Sequence, residues 1–406
     1  MEVPMDATQG RAPVRRGPRA RLGRLGGRAA LAWLALVAGA CQRTVPIGDT
    51  TPSRVAGASA PTVGLSSTAT DMVLHADMPV VPGRNLLWCA TTQLAWDAFG
   101  EVLRGLGAPS RDLRLGPPAP PALVAAMNRH DVQPGDLDTG AYVVEAGFVG
   151  DGLAARFERR VSAMGQRFPL DLNGLHPEGI AALAFLYKDL PFEQPFLVHE
   201  SPLRFDGGST PLAAFGSQHD AKGAEHARML RQVRLHEAER ESSARSGEAD
   251  YVVTLLPRGG ADRIVLGHIA RPTTLASGWA TVAGLLARPE ARVPNATTLE
   301  VPKVDFAATH RFREVERARL LDAPPIKPPT ELVRLEQRLE FRLSENGARL
   351  VAAVAMASNM AASAPPAPSY LHLRFDRPFL LALVRDGAPR PYFLAWFGND
   401  RLFVRQ

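Results

Sequence analysis

The feature that most constrains the fold is an order of segments near the C-terminus, from residue 334 to residue 384. Residues 339–345 alternate between apolar and polar side chains, which predicts a strand. That strand leads into a run of small residues at 348–363 and then into a proline-rich tail. A second strand is predicted at 371–375, and the apolar run 380–384 follows it. This order predicts two stretches of sheet that are separated by a long exposed loop.

Length and composition allow a substantial hydrophobic core. The chain has 406 residues, of which 46% are hydrophobic, enough for one large domain or two ordinary ones. It also contains 35 glycines and 35 prolines, more than a helical bundle needs. The composition therefore favours a fold with many turns and loops.

The net charge of +6 comes mainly from the first 30 residues. Seven arginines in that segment face only Glu2 and Asp6, which leaves a net charge of about +1 for the remainder. A basic surface interleaved with aromatic residues, as nucleic-acid binding requires, is not found elsewhere in the sequence. We therefore expect no nucleic-acid partner.

The N-terminal segment predicts export. An arginine-rich stretch precedes the apolar run 29–37, which is shorter than the roughly 20 residues that span a bilayer. Ala38-Gly39-Ala40 then leads to Cys41, and this order resembles a bacterial lipoprotein signal in which the cysteine receives the lipid. The resemblance implies a signal peptide at 1–41 with lipidation at Cys41, and a protein held at the cell envelope or outside the cell. An ordinary cleaved secretory signal is the alternative.

Beyond the signal we predict a flexible linker at 42–84 and one folded domain at 85–406. The linker is rich in Thr, Ser, Pro, Gly and Ala, without periodicity. Helical spacing of apolar residues predicts helices at 91–106, with Gln93 on the solvent side, and at 152–164, with Leu153, Phe157 and Val161 inward. The remaining apolar segments are mostly short strands, so the predicted fold class is α+β with mixed or antiparallel sheets.

Several of these segments resemble the serpin family. Residues 299–306 are similar to the serpin strand with a Leu-Pro-Lys-Phe pattern, and residues 180–196 to the serpin third strand and its exit, with Asp189 in place of a glycine. Residues 339–347 are similar to the strand and hinge that precede the reactive-centre loop, and residues 371–397 to the closing strands. The resemblance implies a serpin-like α+β fold with surrounding helices and an exposed reactive-centre loop.

The resemblance also implies a function. Serpins inhibit serine and some cysteine endopeptidases: the protease cleaves the loop, and the upstream half of the loop then inserts into the main sheet. In this sequence the hinge residues would be Glu345, Asn346, Gly347 and Ala348, and the scissile bond would lie near Met360, Ala361 and Ala362. The implied partner is a target protease, and the resemblance implies no cofactor and no metal.

Departures from the family pattern keep a second hypothesis open, a non-inhibitory serpin-like surface protein that binds a protein or ligand. Arg349 and Leu350 follow the hinge where inhibitory serpins favour threonine, glutamate and alanine. Gln337 stands where serpins place a histidine, and Leu183 where they place an asparagine. The interval between Asn85 and Leu183 is also short for the full set of expected helices, which includes the one that lies across the main sheet of serpins.

Catalysis is the weakest hypothesis. Cys89 at the start of a helix could be a nucleophile, although a buried structural cysteine is the favoured interpretation. The pairs His219-Asp220 and Glu225-His226 could be metal ligands, but their spacing matches no helical metal motif, and we predict a solvated loop there. The sequence contains neither a Gly-x-Ser-x-Gly elbow nor a phosphate-binding loop, so we expect no enzyme.

Overall fold

The computed structural model describes residues 69–168, 170, 172, 174–218, 223–237, 250–322, 331–332, 334–350 and 371–406. The α-helices are α1 (Thr91–Gly105), α2 (Pro121–Met127), α3 (Leu153–Ala163), α4 (Ala224–Leu230) and α5 (Leu275–Leu286). The strands of the first half are β1 (Thr70–Met72), β2 (Asn85–Cys89), β3 (Tyr142–Phe148), β4 (Ile180–Leu186), β5 (Lys188–Pro191), β6 (Leu197–Leu203), β7 (Leu212–Ser217), β8 (Val233–Glu237) and β9 (Tyr251–Leu255). Those of the second half are β10 (Asp262–His268), β11 (Thr297–Pro302), β12 (Val304–Arg311), β13 (Ala318–Arg319), β14 (Glu331–Leu332), β15 (Glu336–Ser344), β16 (Gly347–Leu350), β17 (Leu371–Arg374), β18 (Phe379–Arg385) and β19 (Pro391–Phe397).

A seven-stranded sheet in the order β1-β2-β19-β18-β10-β9-β8 forms the centre of the core. Its β18 and β19 are apolar along nearly their whole length, and every residue of β19 is buried. Strands covered on both faces have this composition, since neither face meets water. The α+β class with mixed sheets is therefore confirmed.

A second sheet, β17-β11-β7-β6, adjoins this core. Its parallel pair β11–β17 aligns residues 297–300 with residues 371–374. The hydroxyl of Tyr251 donates to the backbone oxygen of Arg374 at 2.8 Å and accepts from the Arg374 amide at 3.0 Å. The chain that follows residues 351–370 is thus fixed as a strand from Leu371 onward.

Residues 180–191 contribute to two further sheets. They pass from β4 into β5 with only Tyr187 between the two strands. Strand β4 pairs with β3, whereas β5 is the last strand of the sheet β12-β15-β16-β5. Alternate residues of β4 face opposite ways: Ile180 and Ala182 pack against the cluster that contains Trp96 of α1, and Leu183 against the cluster that contains Phe157 of α3. Strand β4 is therefore held between two helices.

Three sequence predictions need correction here. The folded domain starts before Asn85, because β1 pairs with β2 and Leu74 is buried; three-residue strands are too short to show a period. Helix α1 is rotated relative to the prediction: Gln93 is buried, with its amide donating to Asp97 and to the Met127 carbonyl, and such a hydrogen bond offsets the cost of burial.

The third correction concerns a helix: the segment Ala224–Leu230 is helical and is not a loop. Helix α3 has Leu153, Phe157 and Val161 buried as predicted, and it lies against β3 and β4. In the described residues no helix is both long and apolar enough to span a membrane.

Candidate functional site

A cavity of about 810 Å³ separates β4 from the first half of β15. We call it the slot. Its floor comes from α1, with Thr91, Ala95 and Trp96, and its two margins are β4 and residues Glu336–Glu340 of β15. Among the described residues, no strand pairs with β4 or with this half of β15 across the slot. Within the described residues, the slot is therefore a gap between the unpaired edge of β4 and the unpaired edge of Glu336–Glu340.

Strand β16 closes one end of the slot. It is antiparallel to both neighbours, so that Leu350 pairs with Phe341 of β15 and with Lys188 of β5. Because β16 is antiparallel to each, β15 and the segment 180–191 run parallel to one another with room for one strand between them. Leu350 is the last described residue before position 371, and it lines the slot.

The side chains of β16 alternate as a half-buried strand requires. Ala348 and Leu350 are each 1% exposed, whereas Arg349 points outward. The Arg349 guanidinium lies 5.8 Å from the ring centre of Tyr187. An arginine directly after the hinge therefore costs no buried charge.

The turn before β16 is held from two sides. The amides of Phe196 and Phe192 donate to the carbonyls of Glu345 and Asn346, each at 2.9 Å. The Lys303 ammonium lies 2.7 Å from the Glu345 carboxylate, and both side chains are about one-fifth exposed. Lys303 connects β11 to β12, so this ion pair ties the turn to the junction of two sheets.

Gly347 is required by its surroundings. Its φ is +138°, a conformation that residues with a side chain rarely adopt. A Cβ atom there would also lie 2.3 Å from the Leu190 carbonyl oxygen of the neighbouring strand. Only glycine allows β15 to turn into β16 this close to β5.

The four predicted hinge residues thus come together in one hairpin between β15 and β5. The predicted scissile region, Met360, Ala361 and Ala362, and the predicted lipidation residue Cys41 lie outside the described residues. Gln337 faces α1, where its amide donates to the Thr91 hydroxyl at 2.7 Å, and its buried Oε1 has no hydrogen-bond partner among the described residues. Leu183 faces α3 on the opposite side of the sheet, so the structure does not bring these two together.

The other candidate residues have structural roles. Cys89 ends β2 rather than starting α1, and burial raises the pKa of its thiol, the opposite of what a nucleophile needs. His226 is buried on α4, with its Nε2 2.9 Å from the Asn295 carbonyl, and its supposed partners His219 and Asp220 are outside the described residues. In the part of the chain that the structure describes, no three His, Cys, Asp or Glu side chains are grouped as a metal site.

Sequence reasoning missed the slot and the role of Lys303. A slot is the absence of a strand, so it leaves no pattern in the residues around it. Lys303 and Glu345 are 42 residues apart, and only the fold brings them together.

The chain is similar to solved serpin structures. A thyroxine-binding globulin in complex with thyroxine matches at 11% identity and a TM-score of 0.44, over 78% of this chain and 92% of that one. The thermophilic serpin tengpin in its native state matches at 12% identity and a TM-score of 0.47, over 80% of this chain and 91% of that one. A second structure of human thyroxine-binding globulin with its ligand matches at 10% identity, over 78% of this chain and 92% of that one, with a TM-score of 0.42. No protein-family model and no curated protein matches the sequence.

Proposed function

We propose that this chain inhibits serine or cysteine endopeptidases by cleavage of a bait loop and insertion of its upstream half into the slot. The observation that carries the proposal is the position of Leu350. Leu350 is the last residue of a strand at the closed end of the slot, and it lines the slot itself.

The register defines which residues would enter. Since Leu350 pairs with Phe341 and Lys188, residue 351 would pair with Glu340 and Tyr187, and residue 355 would reach Glu336, where β15 begins. Residues 351–355 read Val-Ala-Ala-Val-Ala, without a charge or a large side chain. A tightly packed layer accepts such residues with little strain, whereas larger ones would have to displace their neighbours.

The chemistry follows from this geometry. The protease's nucleophile attacks the carbonyl at the bait bond, and an acyl-enzyme forms as the new amino terminus leaves. Insertion of residues 351–355 would then pull the attached protease away from the side where β17 remains fixed. Alternate inserted residues would form backbone hydrogen bonds to one margin and to the other, and these bonds would drive the movement.

The bait sequence indicates the class of target. Residues 351–369 contain neither lysine, arginine nor any aromatic residue, and the candidate bond lies among Met360, Ala361 and Ala362. Such a segment suits proteases with a primary pocket for small or medium apolar side chains, as in elastase-like and subtilisin-like enzymes. The proposed location is the cell envelope or the extracellular space, with a lipid on Cys41.

One observation favours the second candidate, a non-inhibitory binding protein. By the same register, residue 354 would lie opposite Gln337, whose buried Oε1 lacks a partner. Val354 cannot supply one, and an unsatisfied buried acceptor costs about 1–3 kcal/mol. A bound partner that carries a hydrogen-bond donor at this position would satisfy the acceptor, whereas the inserted valine would not.

The test uses the chain without its first 41 residues and a panel of elastase-like, subtilisin-like and trypsin-like proteases. The proposal predicts a denaturant-resistant covalent complex with one of the first two classes, detected as a band of summed mass. Replacing Val354 with arginine should convert the protein into a substrate, because a charge cannot enter the slot. Cleavage by every protease without a complex would contradict inhibition and support the binding role.

A further inference from the structure

Two residues that depart from the serpin pattern lie directly opposite each other. Arg349 stands where inhibitory serpins favour small or acidic residues, and Asp189 where they carry glycine. In the register of β16 with β5, Arg349 pairs with Asp189. Partners in an antiparallel pair carry their side chains on the same face, so both project from the outer surface of the sheet.

A third residue completes this surface. Tyr187 lies at the junction of β4 and β5, and the Arg349 guanidinium packs over its ring at 5.8 Å. A guanidinium at this distance from an aromatic face is held by the ring's electron density. We call Arg349, Asp189 and Tyr187 the outer clasp.

We propose that the outer clasp holds β16 in the sheet before any protease arrives, and that Arg349 is the positioning residue for loop insertion. Without this clasp, the four residues of β16 are held only by their backbone hydrogen bonds and by the contacts of the preceding turn. With the clasp, the first residues of the inserting strand are already in register at the closed end of the slot. Insertion then extends an existing strand instead of starting a new one, and extension is the faster step in forming regular structure.

The chain supplies a matched control. Arg342 of β15 pairs with Arg349 in the register and projects from the same outer face, but its guanidinium bonds to Asp305 of β12 at 2.7 Å. Arg342→Ala therefore removes the same side chain from the neighbouring strand and leaves the clasp in place.

The first readout does not depend on inhibition. Hydrogen exchange of the residue 347–350 amides in the full chain should be about two- to fivefold faster in Arg349→Ala, the loss expected for an exposed cation–π contact. Arg342→Ala should leave these amides unchanged, and Arg349→Lys should recover part of the protection. Equal exchange in Arg349→Ala and wild type would overturn the proposal.

The second readout rests on the proposed function. With an elastase-like protease that forms the covalent complex, Arg349→Ala should increase the ratio of cleaved to complexed inhibitor several-fold, because insertion starts later while deacylation continues at the same rate. An unchanged ratio together with faster exchange would show that the clasp holds β16 without governing insertion, which contradicts the positioning role. If wild type forms no complex at all, the proposed function fails, and the exchange result still decides whether the clasp exists.

Discussion

The two halves of the segment 180–191 have opposite surroundings on the edge that faces β15. Along β5, the neighbour is β16, which the ion pair of Glu345 and the fit of Gly347 hold in place. Along β4, the same edge borders the slot. The difference teaches that, within the described residues, one edge of this segment is paired along β5 and borders a cavity along β4.

The largest effect should come from removing the glycine that lets β16 fit. Gly347→Ala places a Cβ against the Leu190 carbonyl and imposes a strained φ, so we expect a loss of about 3 kcal/mol in unfolding free energy. Urea unfolding measures this loss, and exchange of the residue 348–350 amides locates it. Gly207→Ala is the control: it has a φ of +70° but open space around it, and should cost only about 1 kcal/mol. Equal losses in both variants would mean that the approach of β16 to β5 is not tight.

A smaller effect is expected from the ion pair that anchors the hinge turn. Lys303→Met leaves the Glu345 carboxylate mostly buried beside an apolar side chain, and should cost about 2 kcal/mol. The double variant with Glu345→Gln should recover about half of this loss, because the unpaired charge is gone. The measurement is again urea unfolding, and additive losses in the double variant would show that the two side chains do not interact.

The smallest effect concerns the floor of the slot. His130 bridges Asp97 of α1 at 2.8 Å and Asp112 of the following loop at 2.9 Å. Burial lowers its pKa, but the hydrogen bonds to the two carboxylates outweigh that effect, and the pKa lies above its ordinary value. A group with a raised folded-state pKa stabilises the protein below its ordinary pKa of 6.5, and this contribution is lost as the pH rises through the folded value.

We therefore expect His130→Gln to be less stable than wild type by about 1 kcal/mol at mildly acidic pH, and the difference to shrink in alkaline solution. The check is the urea midpoint of both proteins as a function of pH. Asp112→Asn should weaken the same pH dependence, since it removes one of the two carboxylates. A difference that grows as the pH rises would contradict the charged bridge.

Much of the frame was predictable from the sequence, because its signals are local. Leu153, Phe157 and Val161 recur at helical spacing, and they are the buried residues of α3. The alternation at 339–345 predicted β15, whereas β16 at Gly347–Leu350 lies where the sequence predicted the start of the exposed loop.

What could not be predicted depends on partners that are distant in the chain. Helical spacing predicted Gln93 on the solvent side of α1, but its amide is buried and donates to the Met127 carbonyl at 2.8 Å. The sequence indicated that Arg349 departs from the pattern of inhibitory serpins. It could not show that Arg349 lies on the outer face of the sheet, beside Tyr187 and Asp189. Which side chains of β16 face inward could therefore be assigned only from the structure, which shows the neighbouring strands β15 and β5.

The central claim, that the slot receives residues 351–355 after cleavage, has one direct test. The bait segment is cut with an elastase-like protease, and the melting temperatures of cut and intact protein are compared. Five inserted residues gain hydrogen bonds on two edges at about 1 kcal/mol each. At roughly 2 °C for each kcal/mol, the cut protein should melt about 10 °C or more above the intact one. A cut protein that melts at the same temperature or lower would show that the slot stays open, and would contradict the account.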